Sequence, residues 1–225
     1  MSGRRIAAFD FDGTLSRRDT LVPFLARSCG AVALSRAVSR VAPIAVRART
    51  GRLAAELHHR DATKEALLRE LYTGRSAGWL AEEGHRYARS LDAKLRPEMV
   101  EQVRWHRDAG HELVIVSAGL SCYLGPFAAS AGFDHVIAVD LHADDQERLT
   151  GDLARPNVRG PEKAVRLREW LQGDVPDVLW AYGNSSGDAE LLALADVPVW
   201  VAGRRRDTTA RPEGAGGRVA NPQIS

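Results

Sequence analysis

Cysteine and lysine are scarce in this chain of 225 residues. Cys29 and Cys122 are too few and too far apart for a disulfide framework or a thiolate zinc cluster, which points to a reducing compartment and leaves oxygen to hold any metal. Lys64, Lys94 and Lys163 are the only lysines among 31 basic residues, so a lysine beside an anion-binding motif stands out. An excess of one charge is missing too. With 31 Lys+Arg against 29 Asp+Glu, the net charge of +2 gives no reason to expect a nucleic-acid partner. No apolar run reaches the ~18–20 residues that span a bilayer. The nearest, Ala31 to Val46, is interrupted by Arg36, Arg40 and Pro43. The apolar stretch Ile6 to Phe9 stops at Asp10, too short for the core of a secretory signal, so the expected location is the cytoplasm.

What is present suffices for a packed core: 44% of the residues are hydrophobic and 27% charged, over a length that suits one domain or a core with an insertion. Strand-length apolar runs occur at Ile6–Phe11, Leu113–Val116, His135–Val139, Val178–Tyr182 and Val197–Val201, and most are continuous, as buried parallel strands require. Helical patterns cover Pro97 to Asp108, Leu120 to Ala131, Glu162 to Leu171 and Asp188 to Leu194. This alternation predicts an α/β fold, a Rossmann-like doubly wound parallel sheet. Ser16 to Leu95 breaks the alternation with helical patterns only. The expected division is a core of residues 1–15 and 96–203, a helical cap of 16–95 inserted after the first strand, and a disordered tail of 204–225 that opens with Arg204, Arg205 and Arg206. Within the cap, 31–47 reads as an amphipathic helix. At ~100° per residue, Leu34, Val38, Val41 and Ala45 share one side and Arg36, Arg40 and Arg47 the other. Packing on neighbouring helices is one use of that helix; peripheral contact with an anionic membrane surface is another.

The decisive segment is Phe9-Asp10-Phe11-Asp12-Gly13-Thr14-Leu15. An apolar strand ends in two acids spaced by two, followed by a glycine turn. Alternation along an extended chain puts Asp10 and Asp12 on one side at the carboxyl end, where open α/β sheets bind ligands. Burying two acids there is costly unless a cation or donors compensate them. Three more segments supply such groups. Val114-Ile115-Val116-Ser117 ends a strand in a hydroxyl, with Ala118 and Gly119 next, so that backbone amides can approach an anion. Lys163 stands at a helix start behind Gly160-Pro161-Glu162. Trp180-Ala181-Tyr182-Gly183-Asn184-Ser185-Ser186-Gly187-Asp188 offers Asn184 and Asp188 as oxygen ligands for a hard cation such as Mg²⁺.

In order and spacing these four segments resemble the motifs of the haloacid dehalogenase superfamily of phosphatases, over Ile6 to about Val201. The helical insertion is similar to that of the phosphoserine phosphatase-like subgroup. The Asp19-Thr20-Leu21 continuation with Pro23, Phe24 and Leu25 resembles a branch that includes phosphatidylglycerophosphatase-like members. The resemblance implies a Mg²⁺-dependent phosphomonoesterase. Asp10 would be the nucleophile that forms an aspartyl-phosphate, and Asp12 the general acid and then base. Ser117, Ala118, Gly119 and Lys163 would bind the phosphoryl group. Asp10, the Asp12 carbonyl, Asn184 and Asp188 would hold the metal. One position departs from the pattern: Asn184 stands where the family often has aspartate, so that ligand brings no charge.

The expected substrate is a small organic phosphate ester, phosphoserine-like or another metabolite. The alternatives are a lipid phosphate, a phosphomutase, and a catalytically weak regulatory protein that binds a phosphorylated ligand. Oligomeric state has no sequence signal. Arg17 and Arg18, just past the first motif, face either the substrate or solvent. His58 and His59 read as a surface pair, and His106 and His111 as residues without mutual spacing.

Overall fold

The computed structural model describes residues 3–50 and 56–202, with the side chains of 44–60 excluded. A five-stranded sheet forms the centre, in the order β3-β2-β1-β6-β7 and parallel throughout. Its strands are β1 (Arg5–Phe9), β2 (Glu112–Leu120), β3 (His135–Val139), β6 (Val178–Gly183) and β7 (Val197–Trp200). Continuous runs such as Ile6 to Phe9 and Leu113 to Val116 lie in β1 and β2, two of the three inner strands, and are buried on both faces, which removes the alternation of a half-exposed strand. From β1 the chain moves to β2 and β3 on one side, then returns to β6 and β7 on the other. The crevice at the carboxyl ends of β1 and its neighbours is therefore the switch point of a doubly wound sheet.

Between β1 and β2 stand α1 (Leu21–Cys29), α2 (Ala31–Thr50), α3 (Glu56–Tyr72), α4 (Ala77–Ala88) and α5 (Pro97–Asp108), of which the first four form a helical block. α6 (Ser121–Ala131), α7 (Pro161–Leu171) and α8 (Ala189–Leu194) complete the core helices. Pro97 and Pro161 occupy the first turns of α5 and α7, where a missing N–H costs nothing. Buried side chains of block and sheet form one contiguous hydrophobic cluster. At its centre Phe24 of α1, Tyr87 of α4 and Tyr123 of α6 meet with ring centroids 5.0–5.4 Å apart.

Four sequence readings need correction. First, β1 ends at Phe9, and both acids lie in the turn that follows rather than on the strand. Asp10 N donates to the Tyr182 carbonyl at 2.9 Å, after which Ser16 N reaches back to the Phe11 carbonyl at 2.8 Å and closes a wide turn through Gly13 at φ +85°. Second, a hairpin of β4 (Leu141–Ala143) and β5 (Leu149–Leu153) occupies a segment the pattern leaves without an element. It is pinned to the helical block: Gly74 N donates to Leu149 O and Ala77 N to Glu147 O, each at 2.8 Å. Third, α2 turns Ala37 and Val41 inward but leaves Val38 51% exposed, while Arg40 pairs with Glu70 of α3. The basic side is therefore partly engaged by the neighbouring helix, and Arg47, like His58 and His59, has its side chain outside the described residues. Fourth, His106 and His111 do meet, Nδ1 to Nδ1 at 2.7 Å, and His106 Nε2 lies 2.8 Å from the Tyr182 hydroxyl beneath the sheet. Five residues apart, they are joined by the tight turn that ends α5, a proximity no helical period foretells.

Among the described residues no single helix is long and apolar enough to cross a membrane. α1 and the first part of α2 reach that composition only as a pair bent by 119°. Residues 204–225 lie outside the described residues, so the tail expected there has no structural account.

Candidate active site

The turn after β1 is held by its own side chains. Asp10 is 6% exposed, and one of its oxygens accepts from Thr14 Oγ1 at 2.8 Å. Its other oxygen accepts from Lys163 Nζ at 2.6 Å. Asp12 turns elsewhere: Oδ1 accepts from the Thr20 hydroxyl at 2.6 Å and the Thr20 amide at 2.9 Å, at the start of α1. Thr20 is a contact the motif reading missed. Its signal was a hydroxyl residue at a helix start, normally read as a cap and here spent on the catalytic-type acid.

Lys163 comes from the first turn of α7, which begins at Gly160 with φ +55°, a conformation open to glycine. Gly160 N donates to Gly187 O at 2.8 Å, so the start of α7 is tied to the turn after β6. From there Lys163, 2% exposed, bonds both Asp10 and Asp188 at 2.6 Å. The second oxygen of Asp188 accepts from Asn184 N at 3.1 Å, and from Ser185 N and Ser185 Oγ at 2.9 Å each. Asn184 lies over Gly13: a Cβ added there would come within 2.2 Å of Asn184 Nδ2. Two segments some 170 residues apart thus meet at one glycine.

The third wall is the end of β2. Ser117 is 1% exposed, and its Oγ accepts from Gly119 N at 3.0 Å. Pairing with β3 shifts register between Val116 and Leu120, so Ser117, Ala118 and Gly119 bulge from the ladder toward the crevice. Gly119 is closely packed: a Cβ there would lie 2.8 Å from the side-chain ends of both Leu124 and Tyr123. Onto this bulge comes Lys64 of α3, whose Nζ donates to the Ala118 carbonyl and to Asn157 Oδ1, each at 2.6 Å. Neither Lys64 nor Asn157 was singled out from the motifs, although the rarity of lysine marked Lys64.

The electrostatics follow from burial. Desolvation, followed by the charge of Asp188, pushes the Asp10 carboxyl up against the pull of Lys163. Asp188 is desolvated too, yet Lys163 and the Ser185 donors hold it below its ordinary value. Burial alone would lower the Lys163 ammonium, but the two carboxylates raise it. Asp12 is pushed up to about 7, first by burial and then by the charge of Asp19, with the Thr20 hydrogen bonds opposing. Asp19 also lines a cavity of about 560 Å³ with Arg17, Arg18, Lys94, Arg96 and Glu98, and none of Asp10, Ser117, Lys163 or Asp188 borders it.

Two carboxylates facing one ammonium leave a negative charge unmatched. The Asn184 carboxamide makes no hydrogen bond among the described residues. All the available donors are oxygen, a set that suits a hard divalent cation rather than a soft one. Among the described residues no three His, Cys, Asp or Glu side chains converge, because Asp12 is turned toward Thr20.

The sequence family described as haloacid dehalogenase-like hydrolase matches residues 7–193. The chain belongs to that family. Protein CicA of Caulobacter vibrioides is 34% identical over 192 residues, which cover 85% of this chain and 83% of CicA. A protein of unknown function from Bordetella pertussis Tohama I has a similar structure, with a TM-score of 0.69 and 29% identity over 86% of this chain and 87% of that one. A phosphoserine phosphatase solved as a phospho-aspartyl intermediate analogue has a TM-score of 0.57 at 19% identity, covering 86% and 84% of the two chains. Within the hydrolase family, this chain therefore has the phosphoserine phosphatase-like fold. Of the four segments singled out in the sequence, three are joined directly through Asp10, Lys163 and Asp188, and the fourth, at Ser117, ends the strand next to β1.

Proposed function

We propose that this hydrolase is a magnesium-dependent phosphatase that cleaves a small organic phosphate monoester through an aspartyl-phosphate on Asp10. The observation that carries this reading is the buried ammonium of Lys163 between Asp10 and Asp188, 2.6 Å from each, at the switch point of the sheet. Lys163 and Thr14 oppose the rise that burial imposes on the Asp10 carboxyl, which in its ionised form attacks phosphorus as the ester P–O bond breaks. Asp12 gives its proton to the leaving alkoxide. In the second step Asp12, now a carboxylate, takes a proton from the water that attacks phosphorus, which breaks the bond to Asp10 and releases inorganic phosphate. A group held at about 7 serves both steps near neutral pH. Ser117, the Ala118 amide and Lys163 bind the phosphoryl oxygens, while the Gly119 N–H, expected among them, is spent on Ser117 Oγ. Among the described residues the Ser117 proton has no acceptor, which leaves it free to donate.

Asp10, Asp188, the Asn184 carboxamide and the Asp12 main-chain carbonyl would hold Mg²⁺. When bound, the ion offsets the negative charge of nucleophile and phosphate as they approach. The helical block of residues 16–95 acts as the cap over a core of 1–15 and 96–203. A phosphoserine phosphatase solved as a phospho-aspartyl intermediate analogue supports the same chemistry on this fold. The lipid-phosphate version has less support, because Arg40 of the basic helix is engaged by Glu70.

The test is hydrolysis of a panel containing phosphoserine, sugar phosphates and phosphatidylglycerophosphate. Turnover should disappear in Asp10→Asn, stop in EDTA and return with excess Mg²⁺. Phosphate binding without turnover across the panel would favour the regulatory alternative, and transfer to a sugar rather than water would favour a mutase.

A further inference from the structure

Lys64 enters the site from the helical block, not from any of the four motifs. Its ammonium has no carboxylate within ion-pair distance among the described residues. Its partners are neutral oxygens, the Ala118 carbonyl and Asn157 Oδ1, both at 2.6 Å. Asn157 Nδ2 in turn donates to Asp61 Oδ1 at 2.6 Å, one turn before Lys64 on α3. Two side chains of the block therefore grip one bulged peptide and one loop amide of the core.

The Ala118 carbonyl shares its peptide group with the Gly119 amide. In a trans, planar peptide these two groups point in opposite directions. Holding the oxygen toward α3 consequently turns the Gly119 N–H the other way, and it donates to Ser117 Oγ at 3.0 Å. With that lone pair occupied, the Ser117 proton does not point back at Gly119 and remains to be donated elsewhere, which in the phosphatase reading is to the phosphoryl group. A positive charge on the carbonyl also polarises the peptide and strengthens the donation from its N–H. Lys64 remains charged near neutral pH: burial lowers it to about 8, with Asp61 and then Asp12 opposing.

We propose that Lys64 is a positioning residue that orients the Ser117 hydroxyl toward the phosphoryl group by anchoring the intervening Ala118–Gly119 peptide from the helical block. The inference rests on the phosphatase reading, and it makes a complete phosphate cradle depend on α3 being seated against the core. Because Lys64 acts on the phosphate side, its effect is independent of the leaving group.

Lys64→Met, Lys64→Gln and Lys64→Arg are compared with the wild type in magnesium buffer. Calorimetry follows the binding of inorganic phosphate, and kcat/KM is measured for p-nitrophenyl phosphate and phosphoserine. Loss of a charge-assisted hydrogen bond predicts phosphate binding about tenfold weaker in Lys64→Met, with kcat/KM lowered by the same factor for both esters. Lys64→Arg restores most of the loss. Lys64→Gln, which keeps a donor, falls between them and takes the place of Lys64→Met if that variant does not fold. Unchanged phosphate affinity, or a loss confined to phosphoserine, overturns the proposal, the latter by making Lys64 a contact for the charged leaving group. If the wild type hydrolyses no ester of the full panel, the phosphatase reading fails by itself and the phosphate titration alone decides Lys64. A wild type that binds no phosphate overturns it.

Discussion

At the residue scale, the two acids of the first motif are separated by their partners more than by their spacing. Asp10 is held by an ammonium and a hydroxyl, whereas Asp12 is held by one threonine and faces the charge of Asp19. Burial raises both carboxyls, but Lys163 and Thr14 oppose the rise at Asp10 whereas the charge of Asp19 adds to it at Asp12. Asp10 is therefore the more readily ionised of the two, the order that the proposed nucleophile and proton donor require. Asp12→Asn removes the proton transfer and leaves the nucleophile in place. We expect kcat/KM, which reports the first phosphoryl transfer and not the hydrolysis common to both esters, to fall by about 10²–10⁴ for phosphoserine and by less for p-nitrophenyl phosphate, whose leaving group departs without help. Equal losses on both esters would assign Asp12 a structural role. Asn184 belongs to the same scale: without a charge of its own, it leaves the compensation of a cation to Asp10 and Asp188.

At the scale of elements, the hairpin of β4 and β5 supports α3, which carries Lys64. Gly151 in β5 sits at φ +84°, and a Cβ there would come within 2.5 Å of Thr73 Oγ1 and 2.6 Å of Arg69 Cα. Gly151→Ala therefore combines an unfavourable backbone conformation with a clash against helix backbone, a loss of about 2–4 kcal/mol. Gly78 in α4 is the counterpart. It is exposed, its φ is not positive, and a Cβ would meet only Ser76 Oγ at 3.5 Å. Gly78→Ala should stabilise by about 0.5–1 kcal/mol through helix propensity alone. Urea denaturation of the two variants should move the midpoint in opposite directions.

At the scale of the whole molecule, stability depends on groups outside the crevice. His106 is buried beneath the sheet between His111 and Tyr182, and burial, followed by the charge of His111, lowers it to about 3. The unfolded residue titrates near 6.5. Between these values the unfolded chain binds a proton that the folded chain refuses, so this contribution is complete above pH 6.5 and is lost as pH falls toward 3. At pH 4 the loss from His106 amounts to roughly 3 kcal/mol, and the lowered pKa of His111 adds in the same direction. Denaturant midpoints at pH 7 and pH 4 measure it. The difference should shrink in His106→Gln, and an undiminished difference would place the acid sensitivity elsewhere.

Most of the fold was legible because continuous apolar runs and helical periods are local properties: Pro97–Asp108 coincides with α5, and the other core elements agree to within a few residues. Asp10, Ser117, Lys163 and Asp188 were legible as candidates because each sits at a strand end or helix start, where side chains face the crevice. By itself the sequence determined the layered architecture and the kind of oxygen and nitrogen groups at its edge. Only the tertiary structure decided that Asp12 answers to Thr20, that a lysine of the helical block grips Ala118, and that two histidines share a buried bond. Those contacts depend on where separate elements meet or where a turn closes, and such distances are set by packing of the whole chain rather than by any periodicity along it.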